Sequence, residues 1–452
     1  MNTPIWATEA DIEAAGCGRP DIQGYERPWK AKLIKALPFT QKTKSVKNGV
    51  VLGVNPYTNE ILMHDGSENV LVMGPSPCGK SINTTIPTSL LWQRSFFLFE
   101  KSSDIYNATA AYRKNILGHE VLKFSPLRDD SAHWNPFGEV RLWLGSDAMA
   151  ADIRIIAESI IYCTWTGLSV MDHIHQKAAS FLSAIIAYFF AVFDYRGIPF
   201  MSDIVKFVSD NDAEKISLLL QSSYPCPDSY PKASSFLQDN EVPSDDMLQI
   251  IKDALKPYSN SMVDQNTRSS DFRLLDLIDS YERLSLYYCL DCQWQYKGIA
   301  SLFVNLMFYK FSLTINPKEN LSKCLIMLAD AVELSYLPLF NSAFLSSMDH
   351  GVRTCLEISY FEQMERLFGS ENQIAQHCGV HVYFKPELCC DESTLTAISN
   401  LSVGKVITPE ELLRLDLDKV IVFIEGHRPI LAHKLRYYNN PCLKKICGEG
   451  EE

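Results

Sequence analysis

The sequence predicts an α/β protein in which a mainly parallel sheet surrounds a glycine-bounded loop. Short apolar runs of the kind that form strands buried on both faces alternate with helical segments, as in parallel sheets. One of these runs leads directly into the loop, and a helix follows it. Between residues 165 and 262 the strand-like runs stop and helical periodicity replaces them, which indicates an inserted all-α domain.

The loop has the spacing Gly-x-x-x-x-Gly-Lys-Ser, which between a strand and a helix is typical of a P-loop. Backbone N–H groups of such a loop and of the following helix N-terminus form an anion cradle. We expect ATP to bind here, with the lysine at its β- and γ-phosphates and the serine hydroxyl at Mg²⁺. A chance match in a turn is the alternative, and two prolines remove N–H donors from the cradle. The predicted nucleotide-binding residues are Gly74, Pro75, Ser76, Pro77, Cys78, Gly79, Lys80, Ser81 and Ile82.

The N-terminal half divides into an arm, residues 1–48, and the first part of the nucleotide-binding domain, residues 49–164. In the arm, Thr8 is expected to cap a short acidic helix over 7–15. Residues 49–65 alternate in the pattern of a β-hairpin. After the P-loop helix, the pattern predicts strands over 95–99 and 120–124, and helices over 106–117 and 148–162. Glu100 ends the first of these strands, and ligands gather at the carboxyl ends of strands in open α/β sheets.

The C-terminal half is predicted to be the all-α insertion, residues 165–262, followed by the second part of the nucleotide-binding domain, residues 263–445. Strands are expected over 284–290, 324–328, 354–358, 381–384 and 420–425, with a helix over 299–311. The strand over 324–328 ends at Ala329 and Asp330. Residues 446–452 form a predicted acidic tail.

Composition and charge exclude several classes of protein. The net charge of −12 over 452 residues argues against a generally basic coat for nucleic acid. A basic run over residues 30–47 is either a solvated arm or a contact with an anionic membrane or nucleic-acid backbone. The longest apolar run, 178–193, is shorter than the roughly 20 residues that a membrane span needs, so a core helix is expected.

The order of several further motifs resembles that of the type IV secretion system coupling proteins, the TraG/TraD-type conjugative DNA-transfer ATPases. The resemblance covers nearly the whole chain. It implies a RecA-like P-loop NTPase domain with an inserted all-α domain, and a usually hexameric ring that passes DNA or a relaxase–DNA complex to a secretion channel. The motifs are Trp6-Ala7-Thr8-Glu9, Ile86-Pro87-Thr88-Ser89-Leu90-Leu91-Trp92, Phe124-Ser125-Pro126-Leu127, Trp134-Asn135-Pro136-Phe137, Ser270-Asp271-Phe272, Leu275-Asp276-Leu277 and Lys434-Leu435-Arg436-Tyr437-Tyr438 with Pro441.

Departures from the family pattern fall in the expected catalytic segments. The Walker B strand of the family ends in Asp-Glu, where this chain has Ala329-Asp330, so the Mg²⁺-associated position holds alanine. Asp330 is then expected to serve both catalysis and metal binding, beside Ser81 as the second metal ligand, or one of these two roles is lost. The family's glutamine after a later strand falls on Ser359. With Glu100, these comparisons give Asp330, Glu100 and Ser359 as catalytic candidates.

Three hypotheses for function follow. The preferred one is an ATP-binding, Mg²⁺-dependent coupling ATPase that recruits or drives DNA transfer in conjugation. The first alternative is a catalytically impaired pseudo-ATPase that acts as a structural or recruiting subunit, and the second is a P-loop protein of a defence or mobile-element system. The sequence has no N-terminal transmembrane pair, so we expect membrane contact only through a partner or the basic arm. The expected location is the cytoplasmic face of the bacterial inner membrane, or the cytoplasm.

Overall fold

The structure is a computed structural model that describes residues 6–21, 44–165, 173–193, 197–221, 230–237, 243–279, 282–314, 323–337, 340–385, 392–401 and 407–448. The basic residues between 22 and 43 and the tail residues 449–452 lie outside the described residues.

Thirteen strands of the described chain form one sheet. In chain order they are β1 Cys17–Pro20, β2 Ser45–Val46, β3 Val50–Val54, β4 Ile61–His64, β5 Val70–Met73, β6 Ser95–Glu100, β7 Glu120–Phe124, β8 Leu284–Cys289, β9 Cys324–Leu328, β10 Val352–Ile358, β11 Val380–Phe384, β12 Lys419–Ile424 and β13 Ile430–His433. Their order across the sheet is β2-β1-β4-β3-β13-β12-β11-β5-β10-β9-β6-β8-β7.

The half of the sheet from β11 to β7 is entirely parallel. Strands β5, β6, β8, β9, β10 and β11 are buried along their whole length, as strands covered by helices on both faces must be. The other half is antiparallel except for the β1–β2 pair, and includes the predicted hairpin of β3 and β4. The predicted α/β fold with a mainly parallel sheet is therefore confirmed.

Helices cover the sheet and fill the segment between β7 and β8. The helix after the P-loop begins with a π-helical turn, Ser81–Thr85, and continues as Ile86–Leu91; we call the two together the P-loop helix. The other α-helices are Glu9–Ala14, Asp104–Asn115, Ser146–Tyr162, His173–Phe193, Met201–Asp210, Ala213–Gln221, Asp245–Leu255, Ser261–Asn266, Asp276–Asp279, Lys297–Ser312, Phe340–Ser347, Glu362–Phe368, Glu392–Leu401, Pro409–Arg414 and Pro441–Gly448.

Alternate residues of each central strand point into one of two hydrophobic clusters, one on each face of the sheet. In β6, Phe97 and Phe99 join the cluster that includes the helical segment, whereas Phe96 and Leu98 join the cluster of the P-loop helix. The P-loop helix thus packs on one face, and the helices between residues 146 and 266 pack on the other.

Helix His173–Phe193 is the one helix of the described chain that is long and apolar enough to cross a membrane. It packs against helices Ser146–Tyr162 and Asp245–Leu255, and 61% of its apolar window is buried inside the fold. This burial is what the sequence predicts for a core helix.

The N-terminal region differs from the predicted arm in one respect. Helix Glu9–Ala14 is present, and its Thr8 and Asp11 form the expected capping box. Directly after it, however, β1 joins the sheet, with Cys17 opposite His64 and Gly18 opposite Met63. The sequence of this short strand has no apolar alternation that predicts it, and its pairing with β4 holds it in the sheet.

Candidate functional site

The loop between β5 and the P-loop helix has a backbone shape that requires glycine at positions 74 and 79. Gly74 has φ +155° and Gly79 has φ +90°. A Cβ atom on Gly74 would lie 2.7 Å from Cys78 Sγ and 2.8 Å from Phe384 Cβ. Any larger residue would therefore displace the loop from β11, so the Gly-x-x-x-x-Gly spacing is a steric requirement here.

Hydrogen bonds within the loop hold it in a curved conformation. The N–H of Cys78 donates to the Pro75 carbonyl at 2.9 Å, and the Lys80 ammonium donates to the Gly74 carbonyl. The side-chain amide of Asn83 donates to the Gly79 carbonyl at 2.6 Å. The loop is thus shaped by its own contacts before any ligand is considered.

The P-loop helix directs its N-terminus at the end of the loop. The first N–H groups of a helix have no acceptor within the helix, and the helix dipole places partial positive charge there. With the Lys80 ammonium beside them, these groups form an environment that favours a phosphate group. The sequence predicts nucleotide binding by residues 74–82, and the structure places these residues in this loop and at the start of this helix.

A cavity of about 350 Å³ opens beside the loop. It brings together three separate parts of the chain, which are the loop with the start of the P-loop helix, the residues after β9, and the end of β10. Its lining residues are Ser76, Pro77, Cys78, Gly79, Lys80, Ser81, Ile82, Lys101, Ala329, Asp330, Val332, Glu333, Glu357, Ile358 and Ser359. Gly74 and Pro75 shape the loop without lining this cavity.

Asp330 lines the cavity, and one of its carboxylate oxygens accepts a hydrogen bond from another part of the chain. Its Oδ2 accepts a hydrogen bond from the Lys101 N–H at 2.8 Å. The Lys101 ammonium pairs with Glu333 Oε1 at 2.5 Å. Burial raises the pKa of Asp330, and the negative charge of Glu333 raises it further. Asp330 therefore connects β9 to the loop after β6 while it faces the P-loop.

Glu100 does not line the cavity. Its two carboxylate oxygens accept the N–H groups of Ile105 and Tyr106, each at 2.9 Å, at the start of helix Asp104–Asn115. The Cys289 thiol also donates to it, at 3.5 Å. Burial raises the pKa of Glu100 to about 7. The structure places this residue as a cap of the neighbouring helix, so its expected catalytic role has no support from the cavity geometry.

Ser359 reaches the cavity at the end of β10, and a glutamine four residues later fixes its backbone. The Gln363 side-chain oxygen accepts from the Ser359 N–H at 2.8 Å and from the Tyr360 N–H at 3.4 Å. The family pattern gave Ser359 as a catalytic candidate, but it did not indicate the contact with Gln363.

Glu357 is a site residue that the sequence reasoning missed. It lies on β10 inside a wholly buried strand, is 2% exposed, and lines the cavity. Its Oε1 accepts a hydrogen bond from the Thr85 hydroxyl of the P-loop helix. Burial raises the pKa of Glu357 to about 7, although the positive charge of Lys80 opposes this rise. The signal that could have identified it is an acidic residue within the predicted strand 354–358.

The donor groups of the cavity fit a nucleotide with Mg²⁺. Phosphate would meet the helix N-terminus and Lys80, while the Ser81 hydroxyl and the carboxylate of Asp330 are oxygen ligands of the type that Mg²⁺ prefers. Within the described residues no group of three or more His, Cys, Asp or Glu side chains forms a metal site. Mg²⁺ at phosphates needs no such group, because one or two carboxylates and substrate oxygens are usual.

Proteins of known sequence are similar to most of this chain. The chain is 23% identical over 454 aligned residues to the conjugal transfer protein TraG of Escherichia coli, an alignment that covers 94% of this chain and 69% of that protein. It is 22% identical over 418 residues to protein VirD4 of Agrobacterium fabrum, which covers 83% of this chain and 59% of that protein. The chain thus spans about three-fifths to two-thirds of the length of these relatives.

Solved structures share the fold. The bacterial conjugative coupling protein TrwB, without its first 70 residues, superposes with a TM-score of 0.65 at 15% identity, covering 90% of this chain and 91% of that one. TrwB in complex with a non-hydrolysable ATP analogue gives a TM-score of 0.63 at 14% identity, over 93% of this chain and 94% of that one. The RecA-like P-loop NTPase fold is therefore confirmed.

The family described as type IV secretory system conjugative DNA transfer matches residues 28–405 and 391–450 of the sequence. These two segments include the P-loop, β9 and β10, which carry all three parts of the cavity. The protein belongs to the type IV secretory system conjugative DNA transfer family.

Proposed function

We propose that this protein binds ATP with Mg²⁺ in the P-loop cavity and acts as a coupling protein that recruits or drives DNA toward a secretion channel. One observation carries the proposal. The loop places Lys80, Ser81 and the helix N-terminus opposite Asp330 across a single cavity of about 350 Å³. A cavity of this size and composition accommodates a small charged ligand.

The residues of the chain have separate roles in this proposal. Lys80 and the first N–H groups of the P-loop helix bind the phosphates, and the Ser81 hydroxyl and Asp330 bind the metal. Bound Mg²⁺ would neutralise charge that develops on the phosphates during transfer. Ser359, held by Gln363, lines the same cavity and is placed to orient water or phosphate oxygen.

A second candidate function rests on Ala329. The position before Asp330 carries a methyl group instead of a carboxylate, and Asp330 Oδ2 is occupied by the Lys101 N–H. A site that binds nucleotide well but turns it over slowly fits these facts. In that case the protein would act as a recruiting or structural subunit of a transfer complex.

The proposed partners follow from family membership and include DNA or a DNA–protein complex, components of the secretion system, and further copies of this chain in a ring. Similar proteins include a conjugal transfer protein and a plasmid coupling protein. We propose a peripheral position at the cytoplasmic face of the inner membrane, where such components assemble.

The first test is ligand-induced stabilisation of the purified protein. Saturating ATP with Mg²⁺ is expected to raise the melting temperature of the wild type and of Lys206→Ala, a control on the exposed side of helix Met201–Asp210. Lys80→Ala is expected to lose this shift. Absence of any shift in the wild type would refute the nucleotide site.

The second test separates the two candidate functions. Phosphate release is measured for wild type and Lys80→Ala, without DNA and with single-stranded or double-stranded DNA. Turnover that needs Lys80 and rises with DNA supports a coupling ATPase. Equal rates for the two proteins, together with retained ATP binding by the wild type, support the non-hydrolysing alternative.

A further inference from the structure

Glu357 is an acidic side chain in an unusual position for a central strand. β10 lies between β5, which leads into the P-loop, and β9, which is followed by Ala329 and Asp330. Glu357 is 2% exposed, and while its Oε1 is bonded to Thr85, its Oε2 is buried without a hydrogen-bond partner in the described structure. A buried carboxylate oxygen without a partner is costly and calls for an explanation.

The register of the sheet places Glu357 beside Ala329. In the parallel pair of β9 and β10, Cys355 lies opposite Met327 and Leu356 lies opposite Leu328. The next positions in this register are Glu357 and Ala329. Neighbours in register direct their side chains to the same face of a sheet, so both point to the face that the P-loop helix covers.

The two residues also share the cavity with Lys80, Ser81 and Asp330. Ala329 has only a methyl group, which leaves space on the strand next to Glu357. The chain thus has a carboxylate at Glu357 on β10, and at the neighbouring position after β9 it has Ala329, which carries no carboxylate.

We propose that Glu357 is a metal-binding carboxylate of the nucleotide site, acting with Ser81 and Asp330 and supplying the oxygen that Ala329 cannot. The proposal rests on the proposed ATP–Mg²⁺ function. It explains why Glu357, a residue that lines the cavity, has a buried Oε2 without a hydrogen-bond partner among the described residues. Mg²⁺ and Mn²⁺ both accept carboxylate oxygens, so the two ions can occupy the same site.

The test measures metal affinity directly, with Mn²⁺ as the probe and ADP as the nucleotide. Binding of Mn²⁺ to the protein–ADP complex is followed by electron paramagnetic resonance of the free ion. Glu357→Gln, which keeps the shape of the side chain, is expected to weaken Mn²⁺ binding by about tenfold or more. The matched control Glu333→Gln removes a carboxylate from the same cavity and is expected to change the affinity less than about twofold, because Glu333 is paired with Lys101.

A compensating variant makes the test independent of folding defects. Ala329→Asp combined with Glu357→Gln returns a carboxylate to the neighbouring strand, and is expected to recover most of the Mn²⁺ affinity. Wild-type Mn²⁺ affinity in Glu357→Gln, with ADP bound normally, would overturn the proposal and leave Glu357 as a structural acid. Failure of the wild type to bind ADP at all would instead refute the proposed function on which this inference rests.

Discussion

The Lys434 ammonium donates a hydrogen bond to the Cys78 carbonyl at 3.0 Å, so a residue 356 positions away in sequence contacts the P-loop. Lys434 follows β13, which lies on the antiparallel half of the sheet. The same ammonium lies 5.6 Å from the ring centroid of Phe384, the residue against which Gly74 packs. The C-terminal segment therefore supports the phosphate-binding loop from the side opposite β9.

Replacing Lys434 with methionine is expected to weaken nucleotide binding. The variant loses one hydrogen bond to the loop, about 1 kcal/mol, and one positive charge near the phosphates, so the dissociation constant for ATP–Mg²⁺ should rise roughly threefold to tenfold. Isothermal titration calorimetry measures this directly. Lys444→Met, exposed on helix Pro441–Gly448, is the control, and equal affinity of the two variants would contradict the contact's role.

Much of the central sheet could be predicted because its strands are apolar throughout. Runs such as 95–99 and 324–328 have no exposed face, and burial on both sides leaves few alternatives to a parallel strand between helices. The P-loop could be predicted because glycine is needed at fixed positions. By contrast, β1 is four residues long, includes Gly18 and Pro20, and is held by pairing with β4, which no local pattern reveals.

The role of Glu100 depended on where the next helix begins. The sequence pattern predicts a helix from 106, whereas the helix begins at Asp104. This earlier start brings the N–H groups of Ile105 and Tyr106 within reach of the carboxylate. Local sequence patterns locate helix ends only to within about two residues. The sequence therefore did not show that Glu100 caps this helix and lies outside the cavity.

Glu100→Gln is expected to reduce stability without loss of nucleotide binding. An amide has one acceptor oxygen, so one of the two helix N–H groups loses its partner, at a cost of about 1–2 kcal/mol. Denaturant unfolding at pH 8 measures the change, and ATP affinity should stay within about twofold of wild type. If turnover disappeared while the free energy of unfolding was unchanged, Glu100 would act in catalysis after all.

The raised pKa of Glu357 predicts a pH-dependent stability of the nucleotide-free protein. The carboxyl has an ordinary pKa of 4.5 in the unfolded chain and about 7 when folded. Between these values the unfolded state gives up its proton first, so rising pH favours unfolding. The stabilisation that the protonated Glu357 carboxyl gives to the folded state is complete below pH 4.5 and is lost by about pH 7. At roughly 1.4 kcal/mol per pKa unit, the free energy of unfolding falls by about 3 kcal/mol over this range.

Glu357→Gln removes this titration and isolates its effect. The free energy of unfolding of the variant, relative to wild type, is expected to rise from pH 5 to pH 8 by about 2–3 kcal/mol. Glu333→Gln, which removes a carboxylate paired with Lys101 in the same cavity, is the comparison variant at the same two pH values. An equal difference at the two pH values would show that Glu357 is not held protonated by burial.

Asp152 joins helix Ser146–Tyr162 to helix Lys297–Ser312 and to Arg141 through two ion pairs. It lies on helix Ser146–Tyr162, is fully buried, and accepts from Lys310 Nζ at 2.9 Å and from Arg141 Nη2 at 2.8 Å. Lys310 lies on helix Lys297–Ser312, and burial lowers its pKa although Asp152 opposes that change. Replacing Asp152 with alanine leaves a buried cation without its counter-charge, and the expected loss of stability is about 3–5 kcal/mol.

A double variant tests whether the loss comes from that uncompensated charge. Asp152→Asn with Lys310→Met removes both buried charges, and its free energy of unfolding is expected to lie closer to wild type than that of Asp152→Asn alone, by about 1–3 kcal/mol. Denaturant unfolding of wild type, Asp152→Asn, Lys310→Met and the double variant gives the four values that the double-mutant cycle needs. Additive losses would contradict coupling between the two residues. Neither residue lines the cavity, so unchanged ATP affinity is expected in every variant that folds.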